Sequence, residues 1–279
     1  TYIGSIEKSL ETQYLKDDET GKFLKEDIEF IPGEYKIFDE IIVNALDQYI
    51  RTNENADCND KVKNIDVNVD KETGEISIKN DGEGIKIEKH SKEKVYTPEL
   101  IFGHLLTSTN YNEKTLKHVG GKNGYGAKLT NIFSKKFYVE TCDGKNLFKQ
   151  TFYDNMIRKD EPIITKYTGK QYTLIKYIPD YAKFKIDGLS DNMMKIMEKR
   201  TYDVAAFTNS ANISFNDDTL KITSFKDYIN MYIDEDTENY YEKINNRWEV
   251  AICLNDDQVF EPISFVNGIN TSKGGKHVD

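Results

Sequence analysis

Hydrophobic positions along the chain fall into two periods. Over residues 35–50, Ile37, Phe38, Ile41, Ile42, Val43, Ala45, Leu46, Tyr49 and Ile50 cover almost every direction around a 3.6-residue turn, which predicts a helix buried on most sides. Residues 65–69 and 76–78 alternate with period two around Lys71-Glu72-Thr73-Gly74, which predicts a β-hairpin running into Asn80-Asp81-Gly82-Glu83-Gly84. Ahead of the helix, residues 1–33 read as a loop and short-strand lead-in, with the polar run 16–22 as a turn or hairpin tip and Ile31-Pro32-Gly33 as a stop. Residues 86–118 mix helical turns and loop, four glycines fall within 119–126, and a helical pattern resumes over 127–133. Further strands are expected at 136–141, 147–152 and 172–177, and a helix at about 190–208. Beyond residue 216 the texture changes to a turn at Asp217-Asp218, a short helix over 225–232 and strands at 248–252 and 263–266. A boundary is expected near residue 218, giving units 1–218 and 219–279.

Composition narrows the class. The 279 residues are 38% hydrophobic, and with glycine the apolar total approaches the ~45–50% of globular domains. No run of about 18 uncharged apolar residues occurs, so no membrane partner is expected. Thr1 to Lys8 lack the basic start and apolar run of a signal peptide. The net charge of −10 argues against a dedicated duplex binder, so any contact with nucleic acid should be local. Cys58, Cys142 and Cys253 are too few and too scattered for a disulfide framework or a CxxC metal site. The chain starts without Met and stops at Lys276-His277-Val278-Asp279 without a tail, so it reads as a piece of something longer.

Standard phosphate loops fail on inspection. A Walker A reading of Gly121 to Gly126 continues Ala127-Lys128-Leu129 and misses the Lys and hydroxyl positions, and G-x-G-x-x-G fails because Leu129 stands at the third glycine. Three other features carry chemistry. Glu40, Asn44 and Asp47, at spacings of four and three, share one face of the apolar helix. The plain alternative is a solvated stripe; the functional one is a cleft wall, with Glu40 a general base on a water and Asn44 a neutral oxygen ligand for a hard cation such as Mg²⁺. Asn80-x-Gly82-x-Gly84 alone is an ordinary turn, but it could also set backbone and the Asn80 amide against a flat heterocycle, because an amide offers donor and acceptor together. Gly120 to Lys128 places glycines ahead of a helix N-terminus between two lysines, a set of N–H groups suited to an anion.

Together, Glu40-Ile41-Ile42-Val43-Asn44-Ala45-Leu46-Asp47, Asn80-x-Gly82-x-Gly84, Gly121-x-x-Gly124-x-Gly126 and Thr173 in a late strand resemble the four-part nucleotide site of the GHKL ATPases. Thr1-Tyr2-Ile3-Gly4-Ser5, Tyr35-Lys36-Ile37-Phe38-Asp39-Glu40, Leu105 to Tyr111, Gly120 to Lys128, Ser264-Phe265-Val266-Asn267 and Gly274 to Asp279 extend the resemblance over essentially the whole chain to the ATPase region of eukaryotic-type DNA topoisomerase II. The resemblance implies an α+β fold: a GHKL (Bergerat) two-layer α/β sandwich over 1–218, followed by the truncated start of a ribosomal-S5-like transducer over 219–279. It implies ATP and Mg²⁺ as cofactors, with Glu40 as the catalytic base, Asn44 holding the metal, and Asp47 on the same wall. Asn80 would read adenine where most of the superfamily has Asp, Thr173 would support that end, and Ile101 with Phe102 would line its apolar wall. Ser108, Thr109 and Asn110 would contact ribose and phosphate. Gly121, Lys122, Asn123, Gly124, Tyr125, Gly126, Ala127 and Lys128 would form a lid over the phosphates.

The implied function is the N-terminal gate of a type II topoisomerase: ATP binding and hydrolysis coupled to dimerisation during DNA strand passage. Double-stranded DNA and a homodimer are expected for the full-length enzyme, in the nucleus or, for a virus-encoded version, in the infected cell. The piece itself is expected to bind nucleotide better than it hydrolyses it, to lack DNA cleavage, and to be a monomer or a dimer. Gln48 departs from the family, which usually has Asn there, so its phosphate contact would be made by a longer arm or lost. A chaperone or mismatch-repair GHKL ATPase and a non-hydrolysing nucleotide-binding module are the alternatives.

Overall fold

A computed structural model describes residues 3–104, 126–245, 248–255, 259–271 and 274–278. The lead-in is a full hairpin: β1 (Ser9–Lys16) pairs antiparallel with β2 (Phe23–Phe30), from Ser9 opposite Phe30 to Lys16 opposite Phe23. The polar run after β1 is its tip, closed by the Asp17 and Gly21–Lys22 backbone bonds. Ile31-Pro32-Gly33 ends the lead-in as expected, and Pro32 also opens the helix, because it already has the φ of a first turn and has no N–H to leave unpaired. α1 therefore runs Pro32–Glu54, three residues earlier and four later than the apolar pattern alone predicts. Gly33 packs against the chain ahead of the hairpin, its N–H donating to the Ser5 carbonyl at 2.7 Å.

The predicted hairpin is β3 (Asn64–Val69) and β4 (Ile76–Asp81). α2 (Thr97–Gly103) and α3 (Gly126–Ile132) precede β5 (Ser134–Cys142), β6 (Asn146–Tyr153), β7 (Arg158–Lys159), β8 (Ile163–Lys166) and β9 (Tyr172–Pro179). α4 (Asp191–Ala206), capped by the Ser190 hydroxyl accepting from the Met193 N–H, leads to β10 (Asn212–Phe215) and β11 (Asp218–Thr219). These strands make one sheet in the order β11-β10-β3-β4-β9-β5-β6-β7, with β8 also on β6; β10 is parallel to β3 and the other pairs are antiparallel. α1, α3 and α4 pack on one face, where Ile65, Val67, Ile76, Ile78, Phe137, Val139, Ile175 and Tyr177 are buried, so the architecture is the expected sheet backed by helices.

Residues past 218 first stay with this body. Leu220, Ile222, Tyr228 of α5 (Phe225–Ile229) and Met231 are buried in the same core, and the Phe23 N–H donates to the Met231 carbonyl at 2.7 Å. Two small hairpins follow: β12 (Asn239–Asn245) with β13 (Trp248–Cys253), and β14 (Phe265–Val266) with β15 (Ile269–Asn270).

Candidate active site

Helix α1 supplies one wall. Glu40, Asn44 and Gln48 recur every four residues on one face, with Asp47 beside them. The Glu40 carboxylate is half-buried, and its Oε1 accepts from Lys36 Nζ at 2.7 Å, one turn earlier. Its Oε2 faces the first residue of α3: a Cβ on Gly126 would lie 1.9 Å from that oxygen, so the bare glycine is what lets the backbone reach the carboxylate. Thr130 locks α3 in this place, its hydroxyl donating to the Ile37 carbonyl at 2.8 Å. Asn44 is exposed, Asp47 half-buried, and Gln48 Nε2 donates to the Glu83 carbonyl at 2.6 Å.

The sheet supplies the facing wall. Asn80 lies opposite Thr173, and Thr173 opposite Thr141, across three adjacent strands. The next inward rows on that face are Ile78–Ile175–Val139 and Ile76–Tyr177–Phe137, so the polar row interrupts an otherwise apolar surface at its edge. The Thr141 and Thr173 hydroxyls are 3.0 Å apart, and Asn80 is buried. Asp81 points the other way and is consumed structurally, accepting from the Lys63 and Asn64 N–H groups at 2.7 and 2.8 Å. Of the two adjacent polar residues, Asn80 is therefore the one that faces the cleft.

Gly82 and Gly84 seat the turn between these walls. Gly82 has φ +86°, and a Cβ there would meet the Val62 nitrogen at 2.7 Å; at Gly84 it would fall 1.8 Å from the Cys142 carbonyl oxygen. The Gly84 N–H donates to Gln171 Oε1 at 3.2 Å and the Ile85 N–H to the Thr141 hydroxyl at 3.1 Å. Sequence reasoning missed Thr141 and Gln171. Thr141 was detectable, because period two puts a threonine on the same face as Phe137 and Val139; Gln171 had no signal.

On the third side, Ile101 is half-buried at the end of α2, whereas Phe102 is buried against Phe137 with ring centres 6.0 Å apart and belongs to the core. Asn131 Nδ2 ties α3 to the Phe102 carbonyl at 3.0 Å. Ala127 is buried, and Lys128 is 1% exposed, its pKa lowered by that burial. Ser108, Thr109, Asn110, Gly121, Lys122, Asn123, Gly124 and Tyr125 lie outside the described residues.

No family model matches the chain. DNA topoisomerase 2 of Caenorhabditis elegans is 45% identical over 288 aligned positions that cover 100% of this chain and 18% of that protein. The crystal structure of the ATPase region of Saccharomyces cerevisiae topoisomerase II superposes with a TM-score of 0.93 at 43% identity, covering 100% of this chain and 72% of that one. The chain belongs to the type II DNA topoisomerase family. Within it the chain corresponds to the ATPase region. The ATPase and transducer domains of DNA topoisomerase II from Balamuthia mandrillaris agree, with a TM-score of 0.93 at 38% identity over 100% of this chain and 70% of that one. The chain spans about a fifth of the length of the curated topoisomerases it matches. These matches set aside the chaperone and mismatch-repair readings.

Proposed function

We propose that this topoisomerase region binds Mg-ATP between α1 and the Asn80–Thr173–Thr141 row and hydrolyses it with Glu40 as general base. The observation that carries the reading is the Glu40 carboxylate, with one oxygen held by Lys36 and the other turned to the start of α3. Hydrolysis of a phosphoanhydride is largely positioning and charge stabilisation. Glu40 takes a proton from water as the water oxygen bonds to the γ-phosphorus and the bond to the bridging oxygen breaks, leaving ADP and phosphate. Asn80 and Thr173 would hold the adenine end, with Ile101 on its apolar side. Residues 108–110 and 121–128 would surround ribose and phosphates.

The donor set fits magnesium held mainly by substrate. Among the described residues no group of three His, Cys, Asp or Glu could cage a metal, while Asn44 presents one exposed amide oxygen a turn beyond Glu40. Mg²⁺ characteristically takes one or two protein oxygens and completes its shell with phosphate oxygens and water. When bound there it would neutralise phosphate charge.

In the whole protein, we infer that nucleotide binding drives pairing of two such regions and that turnover resets the gate around a transported DNA segment. The first unit, expected over 1–218 but with a core that runs on through Met231, would hold the nucleotide, and the chain beyond it to 279 would begin the transducer. Glu40→Gln in the full-length protein should retain binding of a non-hydrolysable ATP analogue and lower phosphate release by roughly 10²–10⁴-fold. Unchanged phosphate release would remove Glu40 from the role.

A further inference from the structure

The resemblance implies an asparagine with a phosphate contact at the position of Gln48, and the longer side chain has a different use here. We propose that Gln48 is a positioning residue that fixes the adenine end of the cleft by tying α1 to the glycine turn, and is not a phosphate ligand. The proposal rests on the reading of the cleft as an adenine-nucleotide site.

Gln48 is half-buried, and both ends of its amide are engaged. Nε2 donates to the Glu83 carbonyl at 2.6 Å, while Oε1 accepts from Arg51 Nη2, one turn later on the same helix. The arginine fixes which end of the amide faces the turn, because a guanidinium has only donors and must meet the oxygen. The turn is otherwise held by the loop between α1 and β3 and by residues of the sheet side. The Glu83 N–H donates to the Asp60 carbonyl at 2.7 Å, the Gly84 N–H to Gln171, and the Ile85 N–H to Thr141. Gln171 Nε2 in turn pairs with the Asp60 carboxylate.

The Gln48 bond joins α1 directly to this turn, beside the Thr52 hydroxyl of α1, which accepts from the Val62 N–H next to Gly82 at 3.2 Å. It therefore helps to set the separation between the helix carrying Glu40 and Asn44 and the turn that follows Asn80. An asparagine is one methylene shorter and cannot span the same gap without moving α1, which Ile37, Phe38, Ile41, Ile42 and Leu46 hold buried in the core.

Gln48→Asn separates the two roles by the direction of its effect. If Gln48 contacted phosphate, the asparagine that the resemblance implies there would preserve or improve nucleotide binding. If it is a latch, Gln48→Asn should weaken binding by about two- to fivefold, much as Gln48→Ala does, since both lose one solvent-exposed hydrogen bond to the Glu83 carbonyl. The experiment is calorimetric titration of wild type, Gln48→Ala and Gln48→Asn with the ATP analogue AMPPNP and with ADP, both with Mg²⁺. Amide exchange of the ligand-free proteins is measured alongside.

The expected result is that both variants lose the same factor for AMPPNP and ADP. Exchange at Gly84 and Ile85 should speed up before any nucleotide is added, with β3 and β4 unchanged. Wild-type affinity in Gln48→Asn, a loss confined to AMPPNP, or unaltered exchange at the turn would each overturn the proposal while leaving the site in place. Wild-type protein that binds neither nucleotide would overturn the site itself, and the latch with it.

Discussion

Single residues in this protein depart from what their positions would ordinarily hold, and Glu34 is the clearest case. It lies in the first turn of α1, is 2% exposed, and has a carboxylate oxygen with no hydrogen-bond partner. Burial pushes its carboxyl up from 4.5 to about 7. A group whose folded pKa is raised binds its proton more tightly in the native state. Its contribution is therefore full below about pH 4.5 and is lost as pH rises to about 7, beyond which it is constant. Across that window the loss is about 3 kcal/mol at 1.36 kcal/mol per unit. Glu34→Gln, which keeps the shape without the charge, should be nearly neutral at about pH 4 and stabilising by about 3 kcal/mol at about pH 8, read from urea unfolding at both values. Equal effects at the two pH values would show that the carboxyl is not titrating there. The periodicity of α1 could place Glu34 ahead of the apolar stripe, but its burial depends on chain distant in sequence, Tyr177 and Tyr181 among it, and could not be read locally.

Between elements, the decisive contact is again one that local pattern cannot supply. Arg200 of α4 is 2% exposed, and its Nε donates to Asp39 Oδ1 on α1 at 2.8 Å. Asp39 Oδ2 accepts from Lys36 at 3.1 Å, and Lys36 is the residue that holds Glu40, so α4 anchors the helix next to the proposed base. Burial alone would raise the Asp39 pKa, but the Arg200 guanidinium and then Lys36 hold it below the ordinary value. On the far side, Asp203 accepts from Tyr228 of α5 at 2.6 Å and pairs with Lys199, whose ammonium lies 4.7 Å from the Phe23 ring centre. Removing one partner of a buried pair leaves an uncompensated charge, which costs ~3–5 kcal/mol. Arg200→Met should lose about that much, and Asp39→Asn added to it should recover most of the loss; the coupling is read from a double-mutant cycle by urea unfolding. Additive effects would mean the pair is not coupled. Elements with one strong period, α1, β3–β4, β5, β6, β9 and α4, were legible because burial on one face writes itself into the sequence. Long pairings such as β10 beside β3, and the α1–α4 charge contact, have no such local record. The glycine turn and the Glu40 face were legible for a different reason: their residue types are needed at fixed spacing by the chemistry, whichever way the rest packs.

At the scale of the molecule, the question is which parts share one stability. The nine-stranded sheet, its helices and the segment through Met231 share a continuous core, whereas β12–β13 leaves Tyr240, Trp248 and Ile252 exposed at 59%, 48% and 63%. Few buried contacts mean a low local opening energy, so this hairpin should exchange its amides independently of the main body. A ligand that binds only the folded site adds RT ln(1 + [L]/Kd), about 2.7 kcal/mol at a hundredfold excess over Kd. For a body of this size that corresponds to a rise of roughly 5 °C in the main transition. Saturating Mg-AMPPNP should therefore raise the melting temperature by that amount and slow exchange through α1, β4 and β9, while β12–β13 exchanges at its ligand-free rate. Gly84→Ala should abolish the rise, because its Cβ would displace the turn from the Cys142 carbonyl. If β12–β13 became protected to the same extent as β4, the hairpin would belong to the nucleotide-binding unit energetically. The boundary of that unit would then lie well beyond residue 218.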